Sequence, residues 1–161
     1  MSTLNSTYVP LRSGTSLFGS GPESKSLSRL TQQALKPLME QSHVETVLND
    51  LYDLLSEAKS GQHESELDAP TFSTAKRFLL AFPKTLPSPE LALESDGEIS
   101  FDWEGKNRRM FSVSLRADGR LSYACKLGVN RSSYGIEEFD ENVPETIVEN
   151  VKKIYSNQSY F

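Results

Sequence analysis

Three successive runs between Gly97 and Gly128 alternate apolar with polar residues. This pattern limits the possible folds more than any other feature of the sequence. Their apolar positions are Ile99, Phe101, Trp103, Phe111, Val113, Leu115, Leu121, Tyr123, Cys125 and Leu127. Two turn sequences, Glu104-Gly105-Lys106-Asn107 and Asp118-Gly119, separate the runs. Period-two alternation broken by such turns is typical of antiparallel hairpins with one buried face. The sequence therefore predicts an antiparallel meander of three or more strands over residues 97–128.

Apolar residues at helical spacing precede the meander over residues 27–82. Pro37 interrupts the first such segment, and a proline in a helix interior removes a hydrogen bond and kinks or ends the helix. Ser42 and Glu45 then stand at the spacing of a capping box, which predicts that a second helix begins there. A third and shorter apolar stripe ends at Pro83. We expect three helical segments before the sheet.

The remaining chain completes an α+β fold. Residues 84–89 hold two prolines and are predicted to be an extended connector. Residues 129–142 are loop-like, with Gly135 as a turn, and an apolar stripe over about 144–156 predicts a last helix. Helices with one apolar stripe and a sheet with one apolar face bury both by packing together. We expect one α+β domain over residues 27–161, with helices covering one face of the sheet.

Residues 1–26 have the composition of a flexible arm, because they are rich in Ser, Thr, Gly and Pro and show no apolar period. Tyr8, Leu11 and Phe18 are more apolar than a linker requires. These residues lead to the hypothesis that the arm becomes ordered on a partner.

The sequence of residues 19–26 partly resembles a phosphate-binding loop, but two of its residues argue against that function. Ser24 stands where such a loop needs glycine before its lysine, and Pro22 removes a backbone amide that would face the phosphates. Nucleotide binding by this segment is therefore disfavoured.

Composition bounds the partners and the compartment. The formal charge of −5 and the pI near 5.1 disfavour nucleic acid, whose binding depends on neutralising phosphates. No run of about 18 apolar residues is present, so the sequence predicts no membrane span. A single cysteine, Cys125, rules out an intramolecular disulfide, and we expect a cytoplasmic protein.

No catalytic or metal-binding motif stands out. His43 and His63 lie far apart, and neither has another histidine or a cysteine at the spacing of zinc ligands. Cys125 has no base near it in sequence and falls on the apolar face of the third run, so we expect a buried thiol. We predict no cofactor and no metal, and the chain is interpreted as a non-enzyme, with catalysis left open.

The polar face of the meander has two interpretations, a solvated face or a docking surface for another protein. Trp103 and its neighbouring aromatic residues lie on the opposite, apolar face, which favours packing over stacking on bases. With the arm, the candidate interaction surface comprises Tyr8, Leu11, Phe18, Asp102, Arg109, Ser114, Arg116 and Lys126.

The meander also resembles a group of small bacterial proteins of unassigned activity. The resemblance lies in the segments Asp96 to Trp103, Phe111 to Ser114 and Asp118 to Ala124, and it continues to Ile147. It covers about the C-terminal half, and its motifs are turns and core positions. It implies a shared fold and a bacterial source, and an association with regulatory, immunity or antitoxin-like binders.

Two functional hypotheses follow. The first is a non-enzymatic protein-binding or regulatory protein that uses the arm and the open sheet face. The second is a small hydrolase or nucleic-acid-processing enzyme whose site assembles only in space, from Asp102, Glu104, Arg109 or Arg116. The sequence leaves the oligomeric state open.

Overall fold

A computed structural model describes the backbone of residues 22–62 and 65–156, without the side chains of residues 22–28 and 37–42. The chain divides into two units, residues 1–36 and 37–161. In the first unit the described backbone is helical, and the side chains of residues 29–36 are exposed. The second unit holds the rest of this helix, the sheet, the other helices and the core.

The first helix, α1, runs over Pro22–Lys59. The prediction of two helices broken at Pro37 was wrong, because helical backbone is assigned on both sides of that proline. A proline lacks one amide donor, and here the loss of that bond does not end the helix. The capping-box spacing at Ser42 consequently lies inside a helix, and residues 22–26 of the predicted arm are helical.

Two shorter helices begin at the predicted positions. Helix α2 spans Ala69–Ala81, and the Thr71 amide donates to Asp68 Oδ1 at 2.7 Å, which caps its N-terminus. Helix α3 spans Glu145–Tyr155 and follows Pro144, the residue at its N-cap. Both helices carry a buried stripe on one side.

The sheet is a five-stranded antiparallel meander whose strand order equals the order in the chain. Its strands are β1 (Glu90–Leu93), β2 (Ile99–Gly105), β3 (Arg109–Leu115), β4 (Arg120–Leu127) and β5 (Ser132–Glu138). The predicted α+β class and meander are confirmed, and two outer strands are added to the three predicted from alternation.

The outer strands correct two predictions. Residues 129–142 are not all loop, because β5 pairs with β4 and Gly135 lies inside the strand opposite Tyr123. Residues 84–89 are not fully extended, since the Leu86 amide donates to the Pro83 carbonyl at 3.0 Å and closes a turn. The chain then enters β1 at Glu90.

The helices cover one face of the sheet, and the core lies between them. Phe78 of α2 contacts Phe101 with ring centroids 4.7 Å apart, and Phe82 contacts Trp103 at 5.3 Å. Trp103 is 1% exposed, so the prediction of core packing for this residue is confirmed. The buried apolar strand positions are Ile99, Phe101, Trp103, Phe111, Val113, Leu115, Leu121 and Cys125. The other face of the sheet carries the alternate residues.

Among the helices of the described residues, none is both long enough and apolar enough to cross a lipid bilayer.

Candidate interaction surface

The sheet face that points away from α2 and α3 is called the open face here. Alternation along each strand assigns its members, because their neighbours in sequence face the core. Its central members are Glu90, Ala92, Ser100, Asp102, Glu104, Met110, Ser112, Ser114, Ser122, Ala124, Lys126, Tyr134 and Ile136. Asp102, Ser114 and Lys126 of the predicted surface therefore lie together on one face.

Three large apolar side chains are exposed on the open face. Tyr134 is 86% exposed, Ile136 57% and Met110 52%. Tyr134 and Ile136 stand on the outer strand β5, two residues apart on the same side. A sheet covered on one side normally presents polar residues to water on the other, so these exposed apolar side chains depart from the usual pattern.

The middle of the open face is built from short side chains. Ser112 pairs with Ala124 across β3 and β4, and Ser114 pairs with Ser122. Ser100 of β2 is only 1% exposed, and its hydroxyl donates to Asp102 Oδ2 at 3.2 Å. Short residues in three neighbouring strands leave a flat region that a second surface can approach closely.

Charges of both signs lie on the open face, where exposed Arg120 of β4 pairs with exposed Glu138 of β5. Glu90, Asp102 and Glu104 lie on β1 and β2, whereas Lys126 lies on β4. Glu104 pairs with Met110, and Met110 pairs with Lys126, so one row across the sheet runs from acidic through apolar to basic.

Arg109 is not part of the open face. It is 8% exposed on the helix-covered side, where its guanidinium donates to the carbonyl oxygens of Lys153 and Ser156. These carbonyls end α3, whose negative dipole end favours a cation. Arg109 therefore holds the end of α3 against β3, and its predicted place in an interaction surface does not fit this burial.

Arg116 lies just beyond β3 and forms an ion pair with Glu98. The hydrogen bond and charge of Glu98 raise the pKa of Arg116 above its ordinary value. The Arg116 side chain remains about half exposed, at 52%, so it lies at the end of the open face as a paired cation.

The four residues of the alternative enzyme hypothesis do not come together. Asp102 and Glu104 are on the open face of β2, Arg109 is on the opposite face, and Arg116 is held by Glu98. Within residues 22–62 and 65–156, no group of three or more His, Cys, Asp or Glu side chains could hold a metal ion.

Cys125 lies on the helix-covered face and is 2% exposed, as its position in the alternation predicts. Burial raises the pKa of its thiol, opposed by the charge of Lys153 and a hydrogen bond with Ser133. The neutral thiol therefore dominates near neutral pH, which is the opposite of what a nucleophile needs.

The predicted contacts on the arm, Tyr8, Leu11 and Phe18, lie outside the described residues, and so does His63. Of the segment that approaches a phosphate loop, residues 22–26 have helical backbone and residues 19–21 lie outside the described part.

Sequence reasoning missed the apolar part of this surface. Tyr134 and Ile136 flank Gly135 at period two, a strand signal that the glycine and the neighbouring serines concealed. Met110 precedes Phe111 by one residue, so the alternation already places Met110 on the polar face.

Comparison of the chain with protein-family models, with curated proteins and with solved structures finds no match. The likeness of its meander to small bacterial proteins therefore stays a prediction.

Proposed function

We propose that this chain is a non-enzymatic protein-binding or regulatory protein of the bacterial cytosol, of the immunity or antitoxin-like kind, and that its contact surface is the open face. The observation that carries the proposal is the exposure of Tyr134, Ile136 and Met110 on one uncovered sheet face. Aromatic residues and methionine are enriched at protein interfaces, where they supply apolar area and few charges.

The layout of the open face supports a protein as the ligand. Apolar side chains on β5 and β3 adjoin a flat region of Ser112, Ser114 and Ala124, with charged residues around it. Protein interfaces commonly combine exposed aromatic and methionine side chains with polar and charged residues. The free, buried thiol of Cys125 fits a reducing compartment.

Affinity capture from the protein's own cells tests this proposal. The full-length tagged chain is compared with Tyr134→Lys and Ile136→Lys variants, and bound proteins are identified by mass spectrometry. Leu80→Lys is the matched control, because Leu80 is 51% exposed on α2 and lies on the helical side. We expect one stoichiometric protein partner that both β5 variants lose and the control retains.

A further full-length variant separates the arm from the sheet. Tyr8, Leu11 and Phe18 are changed together to Ala, and loss of the same partner would add the arm to the contact surface. Capture that is unchanged by the β5 variants, or the absence of any partner, would contradict the open face as the contact surface.

A further inference from the structure

We propose that the open face binds a second copy of this chain, face to face, about a two-fold axis that runs along β3. The inference deepens the proposed function and rests on it in one respect, namely that the open face is a protein-binding surface. It identifies the occupant of that surface and implies that a partner protein must displace the second copy.

The strand order determines which strands meet in such a dimer. Because β3 is the middle of five strands in chain order, a two-fold axis along it lays β2 over β4 of the second copy. The same operation lays β1 over β5. A two-fold interface is self-complementary only if each strand suits the one it covers.

Charge complementarity is present between β2 and β4. In the row formed by Glu104, Met110 and Lys126, the axis passes near Met110. Glu104 then faces Lys126 of the second copy, and Lys126 faces its Glu104, so the ion pair forms twice. The two Met110 side chains meet at the axis. Opposite charges placed across an interface select the register and the partner.

Size complementarity is present between β1 and β5. One row across the sheet has Ala92 of β1 at one end and Ile136 of β5 at the other. In the dimer, the large Ile136 side chain of each copy therefore covers the small Ala92 side chain of the other copy. In the next row Glu90 and Tyr134 are the ends, which brings each tyrosine hydroxyl to a carboxylate that can accept its hydrogen bond.

The middle of the face completes the fit. The axis brings Ser114 against Ser114 of the second copy, and it brings Ser100 against Ser122 of the second copy. Short residues there allow the roughly 10 Å separation and the roughly 30° angle of aligned sheets.

The other face-to-face arrangement, with the two-fold axis across the strands, is disfavoured. It would lay β2 over β2, so that the strand carrying Asp102 and Glu104 faced the same acidic strand of the second copy. Like charges placed across an interface are repulsive. The axis along β3 instead sets Glu104 against Lys126 of the second copy.

The dimer should be weak and reversible. From typical strand spacing and rise, the sheet offers about 500 Å² of flat area per copy, or about 1,000 Å² in total. That area is at the lower end for a specific protein interface. We therefore expect a monomer–dimer equilibrium that shifts with protein concentration.

Sedimentation equilibrium of the full-length chain tests the proposal. Lys126→Glu and Glu104→Lys, each alone, set like charges against each other and should weaken the dimer by about tenfold or more. Mixing the two single variants sets opposite charges together again at both sites, so the mixture should dimerise as tightly as the unaltered chain. The double variant Glu104→Lys/Lys126→Glu should also dimerise.

Lys152→Glu is the matched control, since it makes the same change of charge at an exposed position of α3. It should leave the dimer unchanged, and far-ultraviolet circular dichroism checks that every variant is folded. A chain that stays monomeric, or single variants whose mixture recovers no dimer, would overturn the inference.

The outcomes separate this inference from the proposed function. A monomeric chain that still loses its captured partner on Tyr134→Lys leaves the proposed function intact and overturns the dimer. A dimer that follows the charge-swap pattern, from cells in which no partner is captured, supports the dimer and contradicts the partner-binding role.

Discussion

Trp103 joins three parts of the molecule through one side chain. Its indole Nε1 donates to the Pro87 carbonyl at 2.8 Å, and its ring lies 5.3 Å from Phe82 and 5.6 Å from Phe111. Sheet, helix end and connector therefore depend on the same residue. A large, fully buried ring with a satisfied donor is among the most stabilising groups in a core.

We predict that Trp103→Ala lowers the free energy of unfolding by about 3–5 kcal/mol, because it leaves a cavity and removes a hydrogen bond. Trp103→Phe keeps much of the packing and should cost about 1–3 kcal/mol, as the Pro87 carbonyl loses its donor. Urea denaturation measures both. A loss below about 1 kcal/mol for the alanine variant would contradict the core assignment.

For Arg109, the charged residue type suggested an exposed side chain, whereas its position in the strand indicated the buried face. The alternation that places Phe111 and Val113 in the core also places Arg109 on that face, but its charge suggested an exposed surface. What the sequence does not show is that α3 ends beside β3 and presents carbonyl oxygens to the guanidinium. Such a contact joins residues more than 40 positions apart and depends on tertiary packing.

The N-terminus of α2 depends on one carboxylate. Hydrogen bonds from Thr71 lower the pKa of Asp68, so the ionised form is favoured in the folded state. Stability from this cap is present above the ordinary aspartate pKa and is lost as pH falls through the lowered one.

Removing the Asp68 cap should destabilise the fold modestly. Asp68→Ala is expected to cost about 0.5–2 kcal/mol at neutral pH, whereas Asp68→Asn retains an acceptor and should cost little. Urea midpoints of the two variants and the unaltered chain measure the difference. Equal midpoints at neutral pH would show that the cap contributes no stability.

Strand β5 depends on Gly135 because Tyr123 lies against it. A Cβ atom at position 135 would be 2.5 Å from Tyr123 Oη and 2.7 Å from its Cζ. The bare backbone of a glycine thus accommodates an aromatic ring from the neighbouring strand, a device that fixes register in sheets.

We predict that Gly135→Ala costs about 1–3 kcal/mol through this overlap. The double variant Gly135→Ala/Tyr123→Leu should cost less than the sum of the two single variants. The reason is that the shorter leucine side chain leaves room for the alanine methyl group. Urea denaturation gives the energies, and hydrogen exchange of the β5 amides reports the strand. Strictly additive costs would argue against the contact.

At the level of elements, strong periodic patterns were predictable and local interruptions were not. Helices α2 and α3 and strands β2 to β4 follow from their apolar periods. Pro37 and the capping-box spacing at Ser42 are local signals for a helix end and a helix start, but the structure has a continuous helix through both positions. Strand β5 was missed because a glycine and several serines have low strand propensity, which the pairing with β4 overrides.

For the whole molecule, the protons of Cys125 and Tyr155 make stability depend on alkaline pH. Burial raises the pKa of the Cys125 thiol and of the Tyr155 hydroxyl, and Glu90 and Glu104 also raise that of Tyr155. The unfolded chain releases these protons at lower pH than the folded chain does. The free energy of unfolding is therefore undiminished below the ordinary thiol pKa of about 8.5 and falls as pH rises through the folded values.

The fall in stability between about pH 7 and about pH 10 should shrink in Cys125→Ala, and the fall between about pH 7 and about pH 11 should shrink in Tyr155→Phe. Each variant is compared with itself at the two pH values, so that altered packing cancels. Urea midpoints provide the measurement. An unchanged fall in both variants would mean that folding raises neither the pKa of Cys125 nor that of Tyr155.

The open face was partly predictable at this scale. Alternation in β2 to β4 indicated an uncovered polar face and placed Asp102, Ser114 and Lys126 on it. Met110 also follows from the alternation, whereas Tyr134 and Ile136 were missed because the pairing of β5 with β4 puts them on this face. The row that joins Glu104, Met110 and Lys126 likewise becomes visible only when the register is known.

The meander has a kinetic consequence, because every strand is bonded only to strands adjacent to it in the chain. Sequence-local pairing shortens the loops that must close, so hairpins can form one after another from any of the four strand connections. The slow event is then the docking of α2, which precedes the sheet, and α3, which follows it, onto the same side. A chain of this order is expected to fold fast for its strand content, with its rate set by the arrival of two helices from opposite ends.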